Sequence, residues 1–317
     1  MKVNCSYIDP VDSSWVPACI EFCLGTIGNI LALVILWVSR RHDGWRPFDT
    51  MFAGLALENL LSIILAYPFI FKRYASGFTW CYSQTLCDFN SFLLVNNHLS
   101  SAFLICAMSF DQFLIINEVG ETGSSERRNG KRYKIIVVVL LAASVSISLL
   151  HVTGLGSSRL FYPGTWCYLD FISQTTAERD MSYFVVSIGT LLILLIILFN
   201  VLSFWKFYKN PYLRSSARYN ETGRNQCCSN MNVFVMTISA VFIVLWTPFL
   251  VLMVVAESDP RKMKWLEVWL LRTVALNAVI DPWLYTFLRR ESLSTIAKYL
   301  GHVHERHGYT ELNSTRR

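Results

Sequence analysis

Apolar residues in this chain come in long runs separated by short polar stretches. Seven runs, at about 15–39, 49–73, 84–117, 132–154, 181–207, 231–256 and 264–288, are long enough to cross a bilayer as helices, which takes about 20 residues. Several exceed that minimum, which predicts tilt or extension beyond the membrane. The polar stretches, longest near 118–131, 155–180, 208–230 and after 288, leave no room for a soluble domain. The expected fold is an all-α membrane protein, a seven-transmembrane helix bundle over 15–288. Residues 1–14, MKVNCSYIDPVDSS, lack an apolar signal region, so the first span is expected to direct its own insertion. Residues 289–317 are expected to form a short amphipathic helix, RRESLSTIAKYLG, on the inner membrane face and a tail.

Composition agrees: 53% of the 317 residues are hydrophobic and 16% charged, unlike a soluble domain. Most Lys and Arg residues follow spans one, three, five and seven, among them Arg40, Arg41, Arg127, Arg128, Lys206, Lys209, Arg289 and Arg290. Basic residues collect on the cytoplasmic side, so the amino terminus is outside. The net charge of +6 reflects this topology and gives no reason to invoke nucleic acid.

The same map sorts the nine cysteines. Cys5, Cys81, Cys87 and Cys167 fall outside, where disulfides form. They allow three pairings. The favoured one is Cys87–Cys167, tying the top of span three to the loop after span four, with Cys5–Cys81 as the remaining pair. The sequon at Asn4 is outside and open to glycosylation, whereas those at Asn220 and Asn313 are inside. Cys227 and Cys228 are also inside, as acylation candidates or ordinary thiols.

The charge hardest to account for is Arg272, in VWLLRTVALNAVIDPWLY (268–285). It lies about six residues, or ~9 Å, below the outer end of its span, where an arginine costs roughly 2.5–3.5 kcal/mol on insertion scales. A guanidinium is a permanently charged planar fork that suits a carboxylate. Asp281 is about 13–14 Å further along the axis and half a turn round, too far to pair. Two candidates remain: Glu21 at a similar depth in span one, and the carboxylate of a bound ligand.

Gly28–Asn29, LALENL (55–60), Trp246-Thr-Pro248 and DPWLY (281–285) fall in order on spans one, two, six and seven. Together they resemble the rhodopsin-like G protein-coupled receptors. GLGSSRLFYPGTWCYLDF (154–171), LICAMSFDQFLIIN (104–117) and LLRTVALNAVIDPWLYTFLRR (270–290) resemble the prostanoid receptor family, in particular its subtype-4 prostaglandin E2 branch. The resemblance implies a multi-pass plasma-membrane receptor that binds a prostanoid lipid acid and signals through a heterotrimeric G protein of the stimulatory type. It needs no cofactor. It assigns the ligand carboxylate to Arg272, with Thr165 and Tyr74 as further contacts, and leaves Glu21 as a resting partner. The family serine three positions after the arginine is here Ala275, so one polar contact is missing. The loop pinned by Cys167 is expected to lid the pocket, and His98, Asn96 and Asn97 to face the bundle.

The resemblance assigns switching and coupling to Asp111, Gln112, Trp246, Asn59, Asp281 and Tyr285. Gln112 stands where the family has an arginine that pairs with the preceding acid at rest and then meets the G protein; neutral Gln112 does neither by charge, and Asp111 loses its usual partner. Asn59 replaces the aspartate common in the wider class. Asn29, Asn59 and Asp281 lie at similar depth, either bonded to each other or framing a sodium site. Glu58 points about 100° away from Asn59. Pro248 is a kink and pivot candidate beside Trp246. Weakened or ligand-independent coupling is one consequence of Gln112; a non-coupling homologue acting as decoy, scavenger or heteromer partner is the alternative.

An enzyme is not expected: HExxH, GxSxG and phosphate-loop patterns are missing. A retinal protein needs a lysine deep in the last span, but Lys264 lies at its mouth. A transporter favours repeated halves. His302, His304 and His307 read as a solvated tail rather than a metal site.

Overall fold

The computed structural model describes residues 14–43, 47–122, 130–171, 175–211, 223–255 and 264–288. Seven long helices are present among them: α1 (Val16–Asp43), α2 (Pro47–Ala75), α3 (Gln84–Thr122), α4 (Gly130–Leu150), α5 (Thr176–Lys209), α6 (Gly223–Val255) and α7 (Lys264–Leu288). A helix satisfies its backbone polar groups within one segment, which is what lipid demands of a spanning chain. Six helices are apolar enough to cross on composition alone. The seventh is α7, whose apolar run is diluted by Arg272, Asn277 and Asp281.

The helices overrun the expected spans: α3 continues to Thr122, α5 begins at Thr176 and α6 at Gly223. The expected tail helix over 289–301, Asn4, Asn220, Asn313 and the tail histidines lie outside the described residues, as do the surroundings of Cys227 and Cys228. Leu, Ile, Val and Phe side chains cover the outer faces of α1, α4 and α5, as lipid-facing surfaces require. The core runs down the centre of the bundle, where α3 touches α2, α4, α5 and α6.

Small residues set the closest approaches. A Cβ on Gly28 would stand 2.8 Å from Nε1 of Trp283, and one on Gly189 would stand 2.7 Å from Cζ3 of Trp246. Glycine lets α1 lie against α7 and α5 against the Trp246 indole, a packing route that membrane helices favour.

The second outer loop has secondary structure of its own. It opens with a π-helical turn, His151–Leu155, and forms an antiparallel hairpin of β1 (Ser158–Phe161) and β2 (Trp166–Leu169). Ser158 pairs with Leu169 and Phe161 with Trp166. Gly164 takes a positive φ of 93° in the turn, a conformation glycine adopts without strain. All four β2 side chains are buried, so the hairpin is a packed layer of the fold.

Three helices hold this layer. The Cys87–Cys167 disulfide fastens β2 to the top of α3, as expected. Cys81 is also in a disulfide, and the Cys5 half of the expected pair lies outside the described residues. Asn90 Oδ1 accepts from the Cys167 N–H at 3.3 Å, and the Ser182 hydroxyl of α5 donates to Asp170 O at 3.4 Å. From α2, the fully buried Arg73 donates through Nε to Gly164 O at 2.9 Å and through Nη1 to Phe78 O at 2.6 Å and to Trp80 O. One guanidinium thus closes the first outer turn and grips the hairpin tip. Tyr82 adds a bond from its hydroxyl to Thr165 O at 3.1 Å. Burial raises the pKa of the Tyr82 and Tyr168 phenols, so both remain protonated donors.

Arg73→Met keeps the length of the side chain but leaves three carbonyls without their donor. At roughly 1–3 kcal/mol for each unmet buried group, the substitution is expected to lower the melting temperature of the purified protein. It is also expected to speed amide exchange over 158–169 relative to the transmembrane helices.

Candidate ligand-binding site

Beneath the hairpin, side chains from α1, α2, α7 and β2 converge near the outer ends of their helices. Arg272 is half-buried on α7. The Tyr74 hydroxyl of α2 lies close enough to both Arg272 and Thr165 for each to act on it. The three residues expected to meet a ligand, Arg272, Thr165 and Tyr74, are therefore brought together. Thr165 is fully buried, with its hydroxyl beside that of Tyr74. The two hydroxyls form a polar patch next to a cation.

Glu21 resolves the first of the two pairings differently from a simple ion pair. It is buried on α1 and accepts a bond from the Tyr67 hydroxyl at 2.9 Å. Its charge acts on Arg272, but no salt bridge joins the two among the described residues. Tyr67 in turn packs edge-on against Trp166 of the hairpin, with ring centroids 5.3 Å apart. Glu21 is thus tied to α2 and, through Tyr67, to the hairpin, leaving the fork of Arg272 without a carboxylate of its own.

The floor is aromatic. His98 of α3 shares a 3.0 Å hydrogen bond between Nδ1 and the Tyr168 hydroxyl. Its ring also packs edge-on to Trp246 at 5.7 Å and against Phe249 at 6.2 Å. Hairpin, α3 and the Trp246 side chain on α6 form one packed column. Asn96 does not join it: Asn96 Nδ2 donates to Glu58, and its Oδ1 accepts from the Ser144 hydroxyl at 2.9 Å, towards α2 and α4.

Deeper in the bundle, Asn59 and Asp281 lie together, and Asn29 turns to backbone oxygens. Asn29 Nδ2 donates to the backbone oxygens of Gly25 and Ala278 at 2.8 and 2.9 Å. Asn59 Oδ1 accepts from Asn97 at 2.9 Å. Asp281 is fully buried beside Asn59. Neighbouring residues 58 and 59 of α2 address separate asparagines, 96 and 97, on α3. Tyr285 stacks on Phe52 at 4.3 Å and meets Phe234 edge-on at 5.9 Å, filling the gap between α2 and α6.

At the inner end of α3, Asp111 receives a hydrogen bond from the Tyr133 hydroxyl of α4, a partner the sequence did not suggest. Gln112 is buried. One turn outward, Ser109 and Ser239 share a 3.1 Å hydrogen bond, and Asn200 Nδ2 donates to both at 3.0 and 3.2 Å. This neutral knot joins α3, α5 and α6. It and Arg73 are the contributions that sequence reasoning missed. Arg73 was legible only as a charge at the rim of an apolar run, and Ser109, Asn200 and Ser239 carried no spacing signal.

Comparison with known proteins places these features. Residues 28–285 match the family model of the 7 transmembrane receptor (rhodopsin family). The chain is 28% identical to the human prostaglandin E2 receptor EP4 subtype over 320 residues, covering 88% of this chain and 65% of the relative. It is 34% identical to the Bos taurus EP4 subtype over 194 residues, 61% of this chain and 39% of that one. The chain thus spans less than two thirds of the length of either relative. Squid rhodopsin superposes with a TM-score of 0.77 over 91% of this chain and 84% of its own, at 16% identity, a likeness of fold. With its helices, tethered outer hairpin and family match over most of its length, the chain belongs to the rhodopsin family of seven-transmembrane receptors, multi-pass proteins of the plasma membrane.

Proposed function

We propose that this receptor binds a prostanoid-type lipid acid, prostaglandin E2 or a close analogue, and signals through a heterotrimeric G protein. The observation that carries this reading is a half-buried guanidinium with no salt bridge among the described residues, close to the hydroxyl of Tyr74, with the buried Thr165 hydroxyl beside it. A carboxylate fits that set: it takes two parallel N–H bonds from Arg272 and accepts from the hydroxyls. The hydrocarbon chains then lie against apolar side chains, at about 0.8 kcal/mol per buried CH₂. Affinity comes mainly from the chains, and selectivity for an acid from Arg272. Glycosylation at Asn4, the outer segment 1–14 and the inner amphipathic helix within 289–317 complete the proposed organisation.

A stimulatory G protein is the favoured partner, by likeness to the EP4 receptors. Gln112 supports a weakened or ligand-independent form of that coupling, because it removes the cation that would meet the G protein. The same residue favours a second reading, a receptor homologue that binds lipid without coupling, as a decoy, scavenger or heteromer partner.

Radiolabelled prostaglandin E2 is expected to bind membranes carrying the wild type. Arg272→Ala is expected to abolish that binding while surface labelling stays unchanged, and undiminished binding by the variant would overturn the assignment. Cyclic AMP in transfected cells separates the two readings. A ligand-dependent rise supports coupling, and Gln112→Arg is expected to enlarge it several-fold. A flat response from both proteins, with binding intact, supports the non-coupling homologue.

A further inference from the structure

At the opposite end of the bundle, α3 and α5 diverge around a groove of about 350 Å³. That is within the ~300–1,000 Å³ span of small-molecule sites. Its α3 wall includes Asn117 and Glu121, and its α5 wall includes Trp205, Lys206, Lys209 and Asn210. Basic-residue placement puts this end at the cytoplasmic leaflet.

The groove opens towards lipid. On α3, Phe110 and Leu114 are exposed. Asn117 and Glu121 continue the same stripe, since positions 110, 114, 117 and 121 fall within about 60° on one helical face. On α5, Phe204, Trp205 and Tyr208 are exposed, Tyr208 to 63%. Asp111 and Gln112, which the proposed coupling uses, are buried.

Its chemistry is two-sided. Lys209 Nζ sits 4.1 Å from the Trp205 ring centroid and Lys206 Nζ 5.6 Å from that of Phe113. Lys209 is thus held along α5, Lys206 reaches across to a ring of α3, and neither makes a salt bridge with a described residue. On the α3 side, Asn117 Oδ1 is buried with no hydrogen-bond partner, and Glu121 offers a carboxylate. One wall thus attracts an anion, and the other accepts hydrogen bonds and repels one. Asn210 Nδ2 is engaged with Gly120 O at 3.2 Å and ties the walls together.

We infer that the groove binds the headgroup of an inner-leaflet phosphoinositide. The phosphates face Lys206 and Lys209, and the ring hydroxyls donate to Asn117 and Glu121. The acyl chains lie against Phe110, Leu114 and Phe204. Basic pockets between transmembrane helices at this leaflet recognise such headgroups. A phosphorylated polyol satisfies both walls, whereas a bare phosphate satisfies only one. The exposed aromatic flanks favour a ligand supplied by the bilayer over a free inositol phosphate. The site is separate from Arg272 and does not depend on the identity of the ligand there.

The test uses the purified full chain in detergent, titrated with a short-chain phosphatidylinositol bisphosphate while thermal melting is followed. The expected result is a saturable rise in melting temperature, with no rise from short-chain phosphatidylcholine and weaker binding of phosphatidic acid and of lipid-free inositol trisphosphate. Lys206→Gln with Lys209→Gln is expected to weaken the titration on the order of tenfold, and Glu121→Gln to strengthen it. No rise, an unchanged titration in the double variant, or no tightening by Glu121→Gln would overturn the proposal. An equal response to inositol trisphosphate would assign the groove to a soluble anion. Stronger competition by an acidic peptide would assign it to a protein partner. Either would overturn the lipid assignment. Should the double variant lose stability without lipid, the Glu121→Gln titration decides.

Discussion

A guanidinium inside an apolar bundle, without a salt bridge among the described residues, organises the outer half of this receptor. Arg272 costs a few kcal/mol to place there, and the structure offsets that cost only in part. Glu21 contributes its field but is bonded to Tyr67, while Tyr74 is a neutral neighbour. A site finished by protein groups would have no affinity to spare for an acid. One left entirely unmet would destabilise α7. The observed compromise keeps a cation available and keeps water-like partners, Tyr74 and Thr165, beside it. The hairpin is part of this constraint, because Thr165 has a defined position only while Arg73, Tyr82 and the Cys87–Cys167 disulfide hold its strand. Two arginines therefore divide the labour: Arg73 donates to three carbonyls and holds the hairpin, and Arg272 lies beneath it beside Tyr74.

The inner half follows a different logic. Gln112 carries no charge, and hydrogen bonds join the helices around it. Asp111 is met by Tyr133, and Ser109, Asn200 and Ser239 bind α3, α5 and α6 to one another. Neutral bonds of this kind contribute about 0.5–1.5 kcal/mol each, so the knot restrains α6 without making its release prohibitive. Between the two halves, the column from Tyr168 through His98 to Trp246 connects the lid to α6, with Gly189 leaving the indole room against α5. A shift of the hairpin has a packed route to the helix that carries Pro248. That geometry agrees with a receptor whose resting state is held lightly.

Much of this was legible in the residues themselves. Hydropathy located all seven helices, since lipid requires long apolar segments and nothing else in the chain imitates them. The outer cysteines favoured the bond that the structure contains, and Arg272 stood out because charge at that depth needs a reason. What stayed hidden depends on direction rather than composition. The second outer loop pairs as strands, with β2 buried on both faces. Glu58 and Asn59 are neighbours in sequence but address different partners across α3. Asn29 shares a depth with Asn59 and Asp281 but bonds to backbone oxygens of α1 and α7. Arg73 resembles any basic residue at a span's rim until its three carbonyl partners are seen.

The most direct test of the account asks whether Arg272 is the counter-charge of a carboxylate. Competition binding is measured for prostaglandin E2 and for its methyl ester, on the wild type and on Arg272→Gln. The account predicts that the acid outbinds the ester by roughly 100-fold or more on the wild type, as loss of a buried charge pair entails. On the variant, the acid should fall to the level of the ester while the ester scarcely changes. An acid–ester gap that survives in Arg272→Gln would contradict the account, because the carboxylate would then be held elsewhere.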